Sequence, residues 1–121
     1  MFFPESQVRV WLYTRPTDMR KSFDGLAALA ANALGEDPLS GQLFVFINRR
    51  QTQMKVLYFD RSGYCVWAKR LERGRFRYRD SVAGKVRLDW TALTLLLEGI
   101  EVDTARRHRR YRRPEPEGAL V

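Results

Sequence analysis

The sequence predicts an α+β fold, in which an antiparallel meander sheet of four to five strands packs against one long and one shorter helix. Three observations predict it: apolar residues alternate along several short segments, tight turns separate these segments, and two other segments carry apolar residues at helical spacing. With 121 residues, 45% of them hydrophobic, the chain suits one domain with its own core. We assign this domain to residues 1–102 and a basic, flexible C-terminal tail to residues 103–121.

The first strand and the long helix occupy residues 8–35. Val8, Val10 and Leu12 alternate with Arg, Trp and Tyr, which is typical of a strand with one buried face. Thr17 or Asp18 then provides a side chain that caps a helix. The apolar face of that helix follows at helical spacing: Met19, Phe23, Leu26, Ala30 and Ala33 or Leu34. Gly35 ends it in the usual C-terminal position.

Three strands joined by short turns predict the meander. They run from Gln42 to Asn48, from Gln53 to Phe59 and from Tyr64 to Leu71. A perfect alternation from Arg75 to Arg79 predicts a fourth strand, which places three arginines on one face and two aromatic residues on the other. Val86 to Leu88 is a further short strand, and Asp89 caps the last helix, Trp90 to Glu98.

The charge balance predicts a polyanionic partner. The chain has 22 basic and 14 acidic residues, a net charge of +8 and a pI near 10.2, which favours nucleic acid and, less often, an anionic membrane. A single Cys excludes a disulfide framework and a cysteine-based zinc site. The N-terminus lacks the pattern of a signal peptide, and no apolar stretch reaches the roughly 20 residues of a membrane span. We therefore expect a reduced, cytoplasmic protein.

The sequence contains few candidate catalytic groups. We therefore expect no bound metal, no cofactor and no enzymatic activity. Asp60 and Glu72 lie in turns and Asp89 at a helix cap, and Asp18 and Asp24 lie six positions apart on one predicted helix, so they do not share a face. The acids that could be positioned are Asp18, Asp24, Asp60, Glu72, Asp89 and Glu98. A two-metal nuclease needs acids that converge within about 4 Å of shared ions. The single His lies in an arginine run, and Cys65 has no second His to activate it.

The meander concentrates arginines at one end of the sheet. Successive loops of a meander alternate between the two ends, so the loops at 49–52 and 72–75 are expected at the same end. We therefore predict a nucleic-acid-binding surface formed by Arg49, Arg50, Lys69, Arg70, Arg73, Arg75, Arg77 and Arg79. An equally weighted alternative is that the arginine strand is a sheet edge whose charges prevent aggregation.

Two further basic segments, one before the long helix and one in the tail, each have a functional and a purely structural interpretation. Asp18, Arg20 and Lys21 open the predicted helix, where the cations lie beside free backbone N–H groups, and we interpret them as a contact for a protein partner or for phosphate. The alternative is a capped terminus with two solvated cations. The run from Arg106 to Arg113 is either a DNA-binding arm or a solubilising tail.

Four strings in a fixed order carry a resemblance to a known family. They are Asp18 to Leu26 (DMRKSFDGL), Asp37 to Phe46 (DPLSGQLFVF), Lys55 to Asp60 (KVLYFD) and Lys69 to Phe76 (KRLERGRF). Over roughly residues 8–102 the chain resembles the TnpB, or Orf2-like, accessory proteins of the insertion-sequence-sixty-six family of transposable elements, which are unrelated to the RNA-guided nuclease of the same abbreviation. Ser22 departs from the family pattern, where Gly is frequent, and so does the start of the last helix at Asp89.

The resemblance implies a non-catalytic accessory protein that is required for DNA transposition. In that family the strand-transfer chemistry belongs to a separate large DDE-type transposase, and the accessory protein has no assigned catalytic residue. We expect the chain to bind DNA, at the element ends or non-specifically, or to bind the transposase. Two alternatives remain open: an adaptor that docks the transposase through Asp18–Lys21 and Lys69–Phe76 without binding DNA, and an RNA-binding regulator.

Overall fold

Five strands form a single sheet, and one helix packs on each of its two faces. The computed structural model describes residues 8–99, so the predicted domain boundary at 102 and the tail with its arginine run lie outside the described residues. The elements are β1 (Val10–Tyr13), α1 (Phe23–Asn32), β2 (Leu43–Ile47), β3 (Gln53–Asp60), β4 (Gly63–Arg70), β5 (Lys85–Leu88) and α2 (Trp90–Leu97). The α+β class and the positions of the meander strands are confirmed.

The sheet is mixed, so the prediction of a purely antiparallel meander was wrong. Its strand order is β4-β3-β2-β1-β5, and β2, β3 and β4 form the predicted antiparallel meander. β1, however, pairs in parallel with β2, because α1 carries the chain back to the opposite end of the sheet before β2 begins. β5 completes the sheet as an antiparallel neighbour of β1, with Tyr13 opposite Lys85.

The first helix is shorter than predicted and starts later. It has ten residues and α2 has eight, so neither helix is long. Asp18 caps a turn rather than the helix, because its carboxylate accepts the Arg20 N–H at 2.9 Å and its carbonyl accepts the Lys21 N–H at 3.1 Å. The helix N-cap is Ser22, and Phe23, predicted on the buried face, is 47% exposed. Gly35 follows the helix with a φ of +68°, in the expected left-handed conformation.

The segment from Arg75 to Arg79 is not a strand. It pairs with no strand of the sheet, because the connection from β4 at one edge to β5 at the other crosses one end of the sheet instead of lying along an edge. The alternation that suggested a strand does persist in the burial pattern. Phe76 is completely buried and Tyr78 is half-buried, while Arg75, Arg77 and Arg79 are exposed.

The two faces of the sheet bury different side chains. The face under α1 includes Phe44, Phe46 and Leu57, which pack against Leu26 and Ala30 of the helix. The face under α2 is mainly aliphatic, and Phe76 packs into it beside Ile47 and Met54. As predicted, Asp89 caps α2, since its carboxylate accepts the Ala92 N–H at 2.7 Å. No helix within residues 8–99 has the length and apolar character needed to cross a membrane.

Candidate nucleic-acid interface

Three connecting segments meet at one end of the sheet. β1, β2 and β4 all point toward this end, and β5 starts from it. The segments that follow β1 (14–22), join β2 to β3 (48–52) and join β4 to β5 (71–84) therefore lie at this end. We call it the basic end, because its three segments contain nine basic and three acidic residues. The segments at the opposite end, 8–9, 33–42, 61–62 and 89, contain two basic and three acidic residues.

The loop between β2 and β3 is directly bonded to the segment after β4. The Phe76 N–H donates to the Gln51 carbonyl at 2.7 Å, and the Gln51 side-chain amide donates to the Phe76 carbonyl at 2.8 Å. The Leu71 N–H also donates to the Thr52 carbonyl, at 2.8 Å. The two loops therefore lie side by side, as the meander topology predicts.

The β2–β3 loop has a defined conformation. Asn48 closes it, because its side-chain carbonyl accepts the backbone N–H groups of Thr52 at 2.9 Å and of Gln53 at 3.0 Å. Gln51 has a φ of +61°, a left-handed conformation that a non-glycine residue adopts only at some energetic cost. This loop holds Arg49 and Arg50 at an exposed tip.

Five of the eight predicted nucleic-acid-binding residues form an exposed group without internal ion pairs. Arg49, Arg50, Arg73, Arg75 and Arg77 are exposed, and none forms an ion pair with another residue of the 8–99 range. We call these five residues the arginine group. Their guanidinium groups are free to meet an anion without first leaving a protein carboxylate.

The other three predicted residues are engaged within the protein. The Lys69 ammonium donates to the Leu97 carbonyl at 2.8 Å, so it stabilises the C-terminus of α2. Arg70 pairs with Glu72 at 3.0 Å, in an arrangement where both side chains are largely exposed. Arg79 is exposed but takes part in an interaction within the chain.

The predicted partner-binding residues form a rigid turn at the same end. Arg20 pairs with Asp18 at 2.7 Å, and these hydrogen bonds lower the pKa of Asp18 from 3.8 to about 2. Lys55 on β3 holds the turn against the sheet, because its ammonium donates to the Met19 and Lys21 carbonyls at 2.7 and 2.8 Å. The prediction that Arg20 and Lys21 open the helix was wrong, because this turn precedes α1.

Several residues that shape the basic end carry no signal in the sequence. Gln51, Lys55 and Arg15 act through partners that are 25 or more positions away. Arg15 binds the carboxylate of Asp80 with one guanidinium nitrogen at 2.8 and 2.9 Å. No local pattern in the sequence identifies such pairs, since neither periodicity nor motif spacing reports contacts between distant segments.

Within residues 8–99, no three His, Cys, Asp or Glu side chains come together in a group that could hold a metal ion. Cys65 is a half-buried free thiol on β4. The chemical groups that the basic end offers are positively charged hydrogen-bond donors. Phosphate oxygens accept hydrogen bonds from such donors.

Comparison with known proteins identifies the family. The profile described as IS66 Orf2 like protein, TnpB_IS66, matches residues 8–107. An uncharacterized protein of Sinorhizobium fredii, y4hO, is 42% identical over 94 residues, which cover 78% of this chain and 82% of that protein. Another from the same organism, y4jC, is 33% identical over 101 residues, covering 84% of this chain and 86% of its own length. No solved structure matches the chain. The chain therefore belongs to the IS66 Orf2-like family, which associates it with an insertion sequence and its transposition.

Proposed function

We propose that this protein is an accessory factor in the transposition of its insertion sequence, that it has no catalytic role of its own, and that it binds DNA through its basic end. The observation that carries the proposal is the arginine group: five exposed guanidinium groups, without ion pairs to other residues of the 8–99 range, on two loops that are hydrogen-bonded together. The strand-transfer chemistry is assigned to a separate large DDE-type transposase, as the family resemblance implies. We expect both to act in the cytoplasm.

The distribution of charge supports an electrostatic interaction with phosphates. Each arginine that neutralises a phosphate releases a condensed counterion, which makes the affinity fall steeply with salt. Cations that already pair with carboxylates contribute less, because binding requires the internal pair to be broken. The proposed surface therefore consists of the arginine group and leaves out Arg70, which pairs with Glu72. It also leaves out Lys69, because the ammonium of Lys69 donates to a backbone carbonyl of α2.

The test compares two triple variants that have the same net charge. Arg73→Gln, Arg75→Gln and Arg77→Gln together remove three charges from the basic end. Arg9→Gln, Arg61→Gln and Arg87→Gln remove three exposed charges from elsewhere: the start of β1, the β3–β4 turn and β5. Binding to a terminal repeat of the element and to unrelated duplex is measured by fluorescence anisotropy between 50 and 300 mM salt.

The expected result is a selective effect of the first triple variant. The salt slope is the steepness with which the logarithm of the binding constant falls with the logarithm of the salt concentration. In the first triple variant it should fall by about 0.9 for each lost phosphate contact, while the control triple variant keeps the wild-type slope. Equal slopes for both variants would mean that net charge alone acts, which contradicts a surface at the basic end. Stronger binding to the terminal repeat than to unrelated duplex would show recognition of the element ends, and a preference for RNA of equal length would favour an RNA-binding regulator.

A second candidate function is an adaptor that docks the transposase. The turn at Asp18–Lys21 favours it, because Lys55 and the ion pair of Asp18 hold that turn rigidly and present the 91% exposed side chain of Arg20. A pull-down of the transposase by the wild type, and by a variant carrying Arg20→Glu and Lys21→Glu, tests this role. Retention of the transposase by the charge-reversed variant would exclude this turn as the docking site.

A further inference from the structure

A second feature of the basic end is an apolar turn tip. Residues 80–84 form a tight connection before β5, which we call the Val82 turn, and the Val82 side chain at its tip is 100% exposed. Ala83 beside it is exposed as well. The turn lies at the basic end because the Thr14 N–H, directly after β1, donates to the Gly84 carbonyl at 2.9 Å.

A network of hydrogen bonds fixes the conformation of this turn. Besides binding Asp80, the guanidinium of Arg15 donates to the Ser81 carbonyl at 3.2 Å and to the Val82 carbonyl at 3.1 Å. The Asp80 carboxylate accepts the hydroxyl of buried Thr14 at 2.6 Å and the Ser81 N–H at 2.9 Å. The Gly84 N–H donates to the Ser81 carbonyl at 3.0 Å, within the turn.

This network gives the exposed valine a defined position. Loop tips are usually the most mobile part of a fold, and ordering one on binding costs conformational entropy. Here the side chain of Arg15 and the hydroxyl of Thr14 order the backbone before any partner arrives. The valine side chain adds little further cost, because a β-branched residue has few rotamers to lose.

We propose that Val82 contacts thymine methyl groups in the major groove of duplex DNA that is bound at the basic end. This inference rests on the proposed function, since the arginine group is what holds the duplex against this surface. Along the backbone of the duplex, the phosphate oxygens offer nothing that favours an aliphatic side chain. On the edges of the bases, the thymine C5-methyl is the aliphatic group that the major groove displays.

The dimensions of the turn favour this contact over insertion between base pairs. Side chains that wedge into the base stack are long or large, such as Phe, Leu, Ile or Met. A valine side chain ends one carbon beyond Cβ and is too short to reach between stacked bases from a surface turn.

The test replaces thymine by uracil, which removes the methyl group and keeps the base pairing. The wild type is titrated by anisotropy with alternating dA·dT duplex and with the same duplex in which every thymine is uracil. Burial of one methyl predicts about fourfold tighter binding to the thymine duplex. Val82→Ser should bind both duplexes equally with an unchanged salt slope, and Val82→Ile should keep the thymine preference of the wild type.

The outcomes separate this inference from the proposed function. If the wild type binds both duplexes equally well, or if Val82→Ser keeps the thymine preference, the inference is wrong and the arginine surface stands. If the wild type binds neither duplex at any salt concentration, both proposals fail. Because Val82 is fully exposed, its substitution leaves the folded domain intact, and an unchanged thermal unfolding transition serves as the control.

Discussion

Gln51 and Phe76 are joined by two hydrogen bonds, one through the backbone of Gln51 at 2.7 Å and one through its side chain at 2.8 Å. This pair links the loop of Arg49 and Arg50 to the segment of Arg73, Arg75 and Arg77. The ring of Phe76 is buried in the aliphatic core, so the bonded pair attaches the whole arginine group to the rigid part of the domain. The position of these charges is thus a consequence of core packing.

Removal of the Gln51 amide should loosen this attachment. Gln51→Ala loses one hydrogen bond and leaves the Phe76 carbonyl without that donor, so we expect a loss of about 1 kcal/mol in the free energy of unfolding. Urea denaturation measures this change. Gln53→Ala is the matched control, because the hydrogen bonds described for that residue involve its backbone. A loss of stability as large in the control as in Gln51→Ala would contradict a specific role for the amide.

Lys69 should contribute to stability rather than to DNA binding. Lys69→Met keeps the length of the side chain and removes the ammonium that donates to Leu97, so α2 loses a bond at its C-terminus. We expect the free energy of unfolding to fall by about 1 kcal/mol, with a salt slope of DNA binding that stays at the wild-type value. A slope reduced by nearly one unit, with unchanged stability, would instead place Lys69 on the phosphate-binding surface.

The ion pair of Asp18 and Arg20 should produce a measurable acid titration. Its hydrogen bonds lower the pKa of Asp18 from 3.8 to about 2. Because the folded pKa lies below the unfolded value, the contribution to stability is present above pH 3.8 and is lost as the pH falls toward 2. Arg20→Gln should raise the pKa of Asp18 toward 3.8, as measured by carboxyl NMR chemical shifts.

Lys21→Gln is the control for that titration. Lys21 acts on the Asp18 carboxylate only through its charge and is the weakest of the causes that lower its pKa. Its removal should therefore change the titration much less than the loss of Arg20. A larger change in Lys21→Gln than in Arg20→Gln would show that hydrogen bonding is not the main cause of the shift.

Substitution of Gly84 should destabilise the fold. The φ of this glycine is +77°, and a Cβ atom there would approach the guanidinium of Arg15 to 3.4 Å. Gly84→Ala is expected to cost about 1–2 kcal/mol in backbone strain, because a residue with a Cβ atom disfavours this left-handed conformation. Thermal unfolding measures the cost. Gly63→Ala is the control, because Gly63 has no positive φ and a Cβ there meets no atom within 4 Å, and it should leave the unfolding temperature nearly unchanged.

The parts of the fold that could be predicted from the sequence are those with local causes. The strands from β2 to β4 follow from dense apolar segments separated by short turns, and Asp89 is recognisable as a helix cap from its position alone. The start of α1 was misplaced because a capping side chain looks the same whether it closes a turn or begins a helix. Asp18 closes a turn, and Lys55 holds that turn from another strand.

The candidate site could be predicted only in part for a similar reason. Loop alternation in a meander correctly places Arg49 and Arg73 at one end, but no pattern tells which cations have internal partners. Lys69 is bound to a helix carbonyl 28 positions away, and Arg15 is bound to a carboxylate 65 positions away. Such pairs form only when the sheet brings distant segments together.

The sequence by itself determined β2 to β4 and the last helix, the excess of positive charge and the family, because hydrophobic periodicity, composition and ordered motifs are all local properties of the chain. The tertiary structure decided the parallel pairing of β1 with β2 and the irregular course of Arg75–Arg79 across the end of the sheet. It also decided which arginines of the 8–99 range form ion pairs within that range. The physical reason is that strand partners and ion pairs depend on distances between segments that are far apart in sequence, and those distances exist only after the chain has packed around its core.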